Sequence, residues 1–378
     1  MFSGGAAFSQ DRLVEARILV AGCGALGNEV LKNLVLSGAG HITIVDFDEV
    51  EPSNLNRSVL FRREDAAACR RKIDAAAERL LELNPDVVLT KIYGDVAYDV
   101  GLGVFRRADV VIGCVDNRWA RYCINRLCMR AGTPWVDGGI DGLEGTVRVF
   151  VPGRNCYACN LGPKGLEELR RRASCAGTIR REEAAGHVPT TGVAASVIGA
   201  VQVQEALKLL HPEALEDGSL SSLVGKVFYY DGRHLTTRTA EFEAYDDDCP
   251  VHGCWEPVSK IGLNVGSTVE TALKVFADAA GTQDVAFFLH DDCFVDFVEE
   301  KESGRLWDVM LPGRRVASYV GTHPQLSGLP YSALRQNEFK AVDAAFPYRT
   351  LTLGELGIPP QDVLKLRASG RTLYYEID

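Results

Sequence analysis

Ile18-Leu19-Val20-Ala21-Gly22-Cys23-Gly24-Ala25-Leu26-Gly27 passes from a short apolar run into three glycines spaced G-x-G-x-x-G. Val30, Leu31, Leu34 and Val35 then recur at helical spacing, Gly38 and Gly40 stop the helix, and Ile42-Thr43-Ile44-Val45 follows. The pattern predicts strand, loop, helix, strand. Glycines between a strand and a helix let the backbone approach phosphate, and the helix N-terminus adds amides and a positive dipole. Asp46 lies 19 residues after Gly27, at the end of the second strand, suited to a ribose hydroxyl. Taken alone, these residues predict a generic dinucleotide site for NAD or FAD.

The theme recurs outward. Val110-Val111-Ile112-Gly113 reads as a strand, Arg118 to Ala131 as an Arg-rich helix, and Trp135-Val136 as the next strand. Strands alternating with helices predict a doubly wound, Rossmann-like mixed α/β sheet. Residues 160–190 are rich in Arg and Glu with little apolar periodicity and are expected to form a mobile crossover loop. A long apolar helix from Val193 to Leu210 and a strand from Gly225 to Asp231 follow. After Cys254 the pattern changes to short strand-like runs (Val285 to Leu289, Arg371 to Tyr375) and turn signals such as Leu311-Pro312-Gly313. The expected division is therefore an α/β domain over 1–255 and a smaller α+β domain over 256–378.

Composition narrows the function classes. The 378 residues are 46% apolar and 24% charged, the balance of a globular protein. Acids outnumber bases 51 to 41, a net charge of −10, which argues against a nucleic-acid partner. No run of about 18 apolar residues predicts a membrane span. The opening residues, Met1 to Leu13, lack a basic segment followed by an apolar core, so no secretory signal is expected. The eleven cysteines are then expected to be reduced, in the cytoplasm.

The segment after the second strand departs from a plain dinucleotide site. Asp46-Phe47-Asp48-Glu49-Val50-Glu51-Pro52-Ser53-Asn54-Leu55-Asn56-Arg57 is followed by Lys72. An NAD site needs no such array, whereas ATP brings about four negative charges that Arg and Lys match. Asp116, in Cys114-Val115-Asp116-Asn117, ends a further strand and is placed to hold Mg²⁺ beside a triphosphate. Cys156-Tyr157-Ala158-Cys159 and Cys249-Pro250-Val251-His252-Gly253-Cys254 supply two closely spaced cysteine pairs. Such pairs predict a closed, structural Zn²⁺ site on Cys156, Cys159, Cys249 and Cys254, with His252 able to replace one cysteine.

The run from Val20 to Val149 resembles the ThiF/MoeB/ubiquitin-activating superfamily of adenylating enzymes. The matching pieces are GCGALGNEVLKNLVLSGAG (22–40), IVDFDEVEPSNLNR (44–57), LNPDV (83–87), CVDN (114–117) and WVDGGIDGLEGTVRVF (135–150). With the cysteine pairs, the resemblance covers about the first 255 residues. It implies an ATP site in which Gly22, Gly24 and Gly27 form the phosphate loop and Asp46 binds ribose with Asp48 beside it. Asn54, Arg57 and Lys72 would hold the phosphates, and Asp116 the Mg²⁺. The C-x2-C and C-x4-C spacing resembles the activating enzyme of the ubiquitin-fold modifier more than MoeB. The family's upstream Arg-Tyr/Phe-x-Arg motif has no match, since only Arg12 and Arg17 precede Ile18.

Cys175 lies in the polar excursion among Arg170, Arg171, Arg172, Arg180 and Arg181, a cationic setting that favours a thiolate. Ubiquitin-activating enzymes carry a nucleophilic cysteine in the corresponding crossover loop, upstream of a turn that here is Pro189-Thr190-Thr191. The resemblance therefore implies two steps. The C-terminal carboxylate of a ubiquitin-like protein is adenylated, with Arg57, Lys72 and Asp116 acting on the phosphates. Cys175 then takes the acyl group as a thioester and passes it to a conjugating enzyme. It also implies a homodimer and kinship with stand-alone bacterial members, some linked to phage defence. Residues 256–378, with a β-grasp-like pattern from Leu351 to Tyr375, are expected to dock a partner. The alternatives are adenylation of a sulfur carrier, a tRNA-modifying dehydratase, a nucleotide-binding scaffold and, most distant, an NAD oxidoreductase.

Overall fold

Short, wholly buried apolar runs set the centre of the sheet. β1 (Arg17–Ala21) lies between β2 (His41–Asp46) and β4 (Val110–Gly113), with Val20 in register with Ile44 and Ile112. β3 (Val88–Tyr93) flanks β2, and β5 (Trp135–Asp141) flanks β4, all five parallel. β6 (Glu144–Phe150), β7 (Lys226–Asp231) and β8 (Thr236–Glu241) extend the sheet antiparallel, giving the order β3-β2-β1-β4-β5-β6-β7-β8. This computed structural model describes residues 8–174, 191–242, 245–289 and 292–378.

The α-helices, in chain order, are α1 (Gln10–Glu15), α2 (Ala25–Ser37), α3 (Arg63–Ala67), α4 (Lys72–Leu83), α5 (Leu102–Arg106), α6 (Arg118–Ala131), α7 (Gly162–Ser174), α8 (Gly192–Leu209), α9 (Pro212–Glu216), α10 (Val269–Ala280) and α11 (Gly313–Thr322). Helices α2, α4 and α8 cover the sheet face carrying Ile18, Val20, Val136 and Val147. α6 covers the opposite face, where its Arg121 meets Asp137. The sheet is thus doubly wound and mixed. Among the described residues no helix is long and apolar enough to cross a membrane.

One expectation changes. The 160–190 stretch carries a regular helix, α7, where only an irregular excursion was expected. Leu166 and Leu169, three residues apart, are both buried and give that helix an apolar stripe.

The chain forms two compact units. The first contains the eight-stranded sheet and runs to Cys254. The second comprises Trp255–Asp378 together with Tyr98–Gly103 and the stretch from Lys164 that forms most of α7. Leu102 N–H donates to the buried Asp362 carboxylate (2.9 Å), and Gly103 N–H to the Gln361 carbonyl (2.9 Å). Within this unit, β9 (Val258–Lys260), β10 (Val285–Phe288), β14 (Ala341–Val342), β15 (Val363–Ala368) and β16 (Arg371–Glu376) form one sheet in the order β14-β10-β15-β16-β9. Residues 351–375 contribute the β15–β16 hairpin to it. A three-stranded sheet has β11 (Phe294–Glu300) between β12 (Leu306–Pro312) and β13 (Leu334–Phe339).

The glycines of the loop after β1 differ in what they require. Gly22 has φ of +99°, and a Cβ there would lie 2.6 Å from the Cys114 carbonyl oxygen. A Cβ at Gly27 would lie 2.0 Å from the Gly22 carbonyl oxygen. At Gly24 a Cβ would meet nothing within 4 Å. Gly22→Ala is therefore expected to cost about 2 kcal/mol or more of stability. Gly24→Ala should cost under about 1 kcal/mol, as a helix N-cap change. Denaturant titration of both variants checks the difference; equal losses would contradict it.

Candidate functional site

Strand order reverses between β1 and β4, and open α/β sheets bind ligands beyond the carboxyl ends of the strands at such a point. Gly24 is the N-cap of α2 and offers no capping side chain, so the first-turn amides have none of their own to satisfy them. These amides face an approach that stays open at Gly24, the geometry an anion needs.

Asp46 closes the crevice on the β2 side. Its Oδ2 accepts the Cys23 N–H at 2.6 Å and its Oδ1 the Asp48 N–H at 2.8 Å. Burial raises the Asp46 carboxyl, and the charge of Lys72 and the two N–H bonds only partly offset this. Lys72 begins α4 and is itself buried, with Nζ donating to Asp48 Oδ2 at 2.7 Å. Burial works against its charge, but Asp46 and Asp48 outweigh that effect and leave its pKa above the ordinary lysine value. The structure thus brings Asp46, Asp48 and Lys72 together around the loop. An ammonium has three donors, so Lys72 can keep Asp48 and still reach a phosphate oxygen.

The other predicted residues frame this group. Asn54 ends the short helical turn Pro52–Asn54, where its Oδ1 accepts the Glu51 N–H at 3.0 Å. Arg57 Nη1 donates to the Ser53 carbonyl (2.8 Å) and to Asn56 Oδ1 (3.2 Å). Asp116 is exposed just beyond β4, beside Asn117, whose side chain caps α6 through the Ala120 N–H at 2.7 Å. Among the described residues no hydrogen bond or ion pair joins Arg57 or Asp116 to the Asp46–Lys72 group. Arg12 is held at a distance in sequence, paired with Glu213 at 2.5 and 2.7 Å and bonded to the Leu210 carbonyl at 3.3 Å. Cys175 lies outside the described residues.

Several supporting residues were missed from the sequence. Asn28 is fully buried: its Nδ2 donates to the Cys23 and Gly24 carbonyls (both 2.9 Å) and its Oδ1 accepts the Leu60 N–H (2.8 Å). Arg121 pairs with the buried Asp137 at 3.0 Å and spans the Val115 and Gly138 carbonyls at 2.8 and 3.0 Å. Buried Gln202 donates to the Gly113 and Val136 carbonyls from the other face at 2.9 and 3.3 Å. Each looks like an ordinary polar helix residue in sequence. Asn28 and Arg121 lie beside recognised motifs, whereas Gln202, within a long apolar helix, carries no such signal.

The cysteine pairs meet, with one change of ligand. Cys156, Cys159, Cys249 and His252 put their donor atoms within 4.8 Å of one another. Cys156 Sγ lies 3.8 Å from Cys249 Sγ and 3.6 Å from Cys159 Sγ, and Cys159 Sγ lies 3.2 Å from His252 Nε2. Tetrahedral Zn–S bonds of about 2.3 Å place sulfurs about 3.8 Å apart, so three thiolates and an imidazole fit zinc. Cys254, expected as the fourth ligand, is instead exposed, its thiol donating to the Arg130 carbonyl at 3.3 Å. Burial pushes the Cys156 thiol up to about 12, so a thiolate there needs a cation beside it. Burial lowers the His252 pKa, which favours the neutral, ligating imidazole.

Cys23, Cys114, Cys128 and Cys293 are buried and do not suit nucleophilic work, whereas Cys69 and Cys254 are exposed. Burial raises Cys23, Cys114 and Cys128 above the ordinary thiol value, and Cys293 to about 12. Among the described residues no cysteine is in a disulfide.

A phosphate loop at the switch point of a doubly wound sheet, with an acidic strand end and a buried lysine beside it, defines a nucleotide-binding α/β domain. The ThiF family matches residues 3–251, and the chain belongs to that family. The SAMP-activating enzyme E1 of Haloferax volcanii is 34% identical over 244 residues, covering 65% of this chain and 83% of that protein. The sulfur carrier protein ThiS adenylyltransferase of Escherichia coli is 30% identical over 246 residues, covering 65% and 88%. The ubiquitin-like modifier-activating enzyme 5 of Arabidopsis thaliana is 30% identical, covering 57% and 51%. A crystal structure of E. coli MccB with ATP shares the fold, with TM-score 0.51, 22% identity and coverage of 65% and 68%.

The donor geometry sets a metal test. The purified protein is expected to carry one zinc per chain. Cys249→Ser and His252→Ala should lose it, and Cys254→Ser should keep it, as read by elemental analysis. Loss in Cys254→Ser with retention in His252→Ala would reverse the assignment.

Proposed function

We propose that this chain is an ATP-dependent adenylyltransferase that activates the C-terminal carboxylate of a ubiquitin-like protein. The observation that carries the reading is the buried Lys72 held between Asp46 and Asp48 at the mouth of the glycine loop. A dinucleotide site has no use for that lysine, whereas a triphosphate does. The 34% identity to an archaeal activating enzyme over most of that enzyme's length supports the same substrate class.

In this reading Asp46 takes the ribose hydroxyls, and the α2 amides with Lys72, Asn54 and Arg57 take the phosphates. Asp116 would hold Mg²⁺, whose charge offsets that of the phosphates when bound. The substrate carboxylate oxygen attacks the α-phosphorus, the bond to the β-phosphate oxygen breaks, and acyl-adenylate and pyrophosphate result. The chain contributes position and fixed positive charge. Cys175 is proposed as the second nucleophile. Its thiolate attacks the acyl carbon, the bond to AMP breaks, and a thioester forms that a conjugating enzyme can accept. Residues 256–378 are proposed to dock that partner. The 30% identity to a sulfur-carrier adenylyltransferase favours a second reading that ends at the acyl-adenylate.

Incubation with ATP, Mg²⁺ and candidate ubiquitin-like proteins ending in glycine separates these readings. Wild type should exchange pyrophosphate into ATP and form an adduct that reducing agent removes. Lys72→Ala and Asp116→Ala should lower exchange about 10²–10³-fold. Cys175→Ala should retain exchange and lose the adduct. An adduct surviving that substitution places the nucleophile elsewhere, and exchange with no adduct in wild type favours the sulfur-carrier reading. No exchange with any carrier would sink both.

A further inference from the structure

Asn28 lies in the first turn of α2 and is fully buried. Its Nδ2 donates to the Cys23 and Gly24 carbonyls, both at 2.9 Å, and its Oδ1 accepts the Leu60 N–H at 2.8 Å. Only this orientation of the amide serves all three partners, since the reversed one sets an oxygen against two carbonyls. The two donated bonds fix more than the carbonyls. A peptide unit is planar and trans, so its C=O and N–H point in opposite directions. The Cys23 carbonyl shares a plane with the Gly24 N–H, and the Gly24 carbonyl with the Ala25 N–H. Drawing both carbonyls onto Asn28 therefore turns both N–H groups away from it. Among the described residues neither of these N–H groups donates to a protein acceptor. They stand at the N-terminus of α2, on the approach that stays open at Gly24.

We propose that Asn28 is a positioning residue of the nucleotide site, aiming the Gly24 and Ala25 amides at a nucleotide phosphate before the nucleotide arrives. The proposal rests on the ATP reading given above and deepens it. A loop rich in glycine has many backbone conformations open to it, and binding through a loose loop loses affinity to the ordering of that loop. Asn28 removes this freedom in advance, with a side chain that itself touches no ligand. It also reaches a second segment. Leu60 follows Arg57 by three residues, so its N–H bond ties the glycine loop to the chain leaving the turn that carries Asn54 and Arg57. One buried amide thereby joins the backbone donors to the segment whose side chains are assigned to the phosphates.

The test uses the full chain and compares ATP with adenosine by titration calorimetry, because adenosine keeps the base and ribose and lacks the phosphates. Asn28→Asp keeps the acceptor for Leu60 and loses both donors. Asn28→Ser removes the amide without adding charge. In both variants ATP affinity is expected to fall about 10- to 100-fold, the loss of hydrogen bonds to a charged group, while adenosine affinity stays within about twofold of wild type. Asn28→Ser decides the matter if Asn28→Asp does not fold. Equal losses for ATP and adenosine would overturn the proposal and mark Asn28 as a packing residue alone. A loss of ATP affinity in Asn28→Asp with none in Asn28→Ser would also overturn it, since repulsion by the new carboxylate then explains the effect. Wild type that binds no ATP would instead overturn the nucleotide reading itself.

Discussion

The Asp46 carboxylate holds the crevice in shape. The Gly22 N–H reaches the Val45 carbonyl at 2.8 Å, and one residue later the Cys23 N–H reaches Asp46 at 2.6 Å. These two bonds stitch the glycine loop to the end of β2 and turn the chain into α2. The same carboxylate orders Asp48 through its N–H, and Asp48 in turn holds the ammonium of Lys72. The start of α4 is drawn in as well, because the Lys72 N–H donates to the Asp48 carbonyl at 3.0 Å. One acidic side chain therefore sets the relative positions of the glycine loop, the end of β2 and the lysine. Without Lys72 the two carboxylates would face each other uncompensated, which is why the buried lysine stays charged.

A parallel sheet opens where its strands diverge, and the backbone groups exposed there need partners. Gln202 supplies them from one face and Arg121 from the other, so β4 and β5 end in a fixed geometry. Arg121 stays charged although burial opposes it, because Asp137 lies against it. Removing either member would strand the other in a poorly solvated place, so the pair is coupled more tightly than a surface bridge. Asn28 does for the loop what these residues do for the strands. The nucleotide crevice is thus rigid through polar contacts to backbone, placed where the hydrogen-bond ladder stops.

How much of this was legible follows from what is local. The β1–α2–β2 unit and α6 are written in contiguous apolar periods and caps, and the structure keeps them within a residue of their expected ends. The place of Asp46 beside the glycine loop was readable because its position after a strand is a matter of spacing. Buried polar residues such as Asn28, Asn125 and Gln202 were not, since their environment depends on elements far off in sequence. The exchange of Cys254 for His252 has a local cause that spacing hides. Gly253 takes φ of +112° and turns the chain so that Cys254 leaves the cluster while His252 enters it, with Tyr245 stacked on its ring at 4.6 Å. The inclusion of Tyr98–Gly103 in the second unit rests on Asp362, more than two hundred residues away, and has no local signal at all.

The seating of α8 ties the remaining pieces together. A Cβ at Gly145 would lie 2.4 Å from Ile198, one at Gly138 2.4 Å from Gln202, and one at Gly199 3.0 Å from Glu29 of α2. These glycines serve close approach rather than unusual backbone angles, and they let α8 lie directly on β5, β6 and α2. The helix begins at a Thr191 cap, and a Cβ at Gly192 would lie 3.5 Å from Arg57 Cα. The chain therefore returns to the described fold beside the turn that carries Asn54 and Arg57. Cys175 directly follows Ser174, the last residue of α7, and precedes Gly192 by 17 residues. A chain reaches at most about 3.3–3.6 Å per residue, so that interval spans up to roughly 55–60 Å. Chain length thus does not keep the proposed thiol from an acyl-adenylate formed beside Arg57.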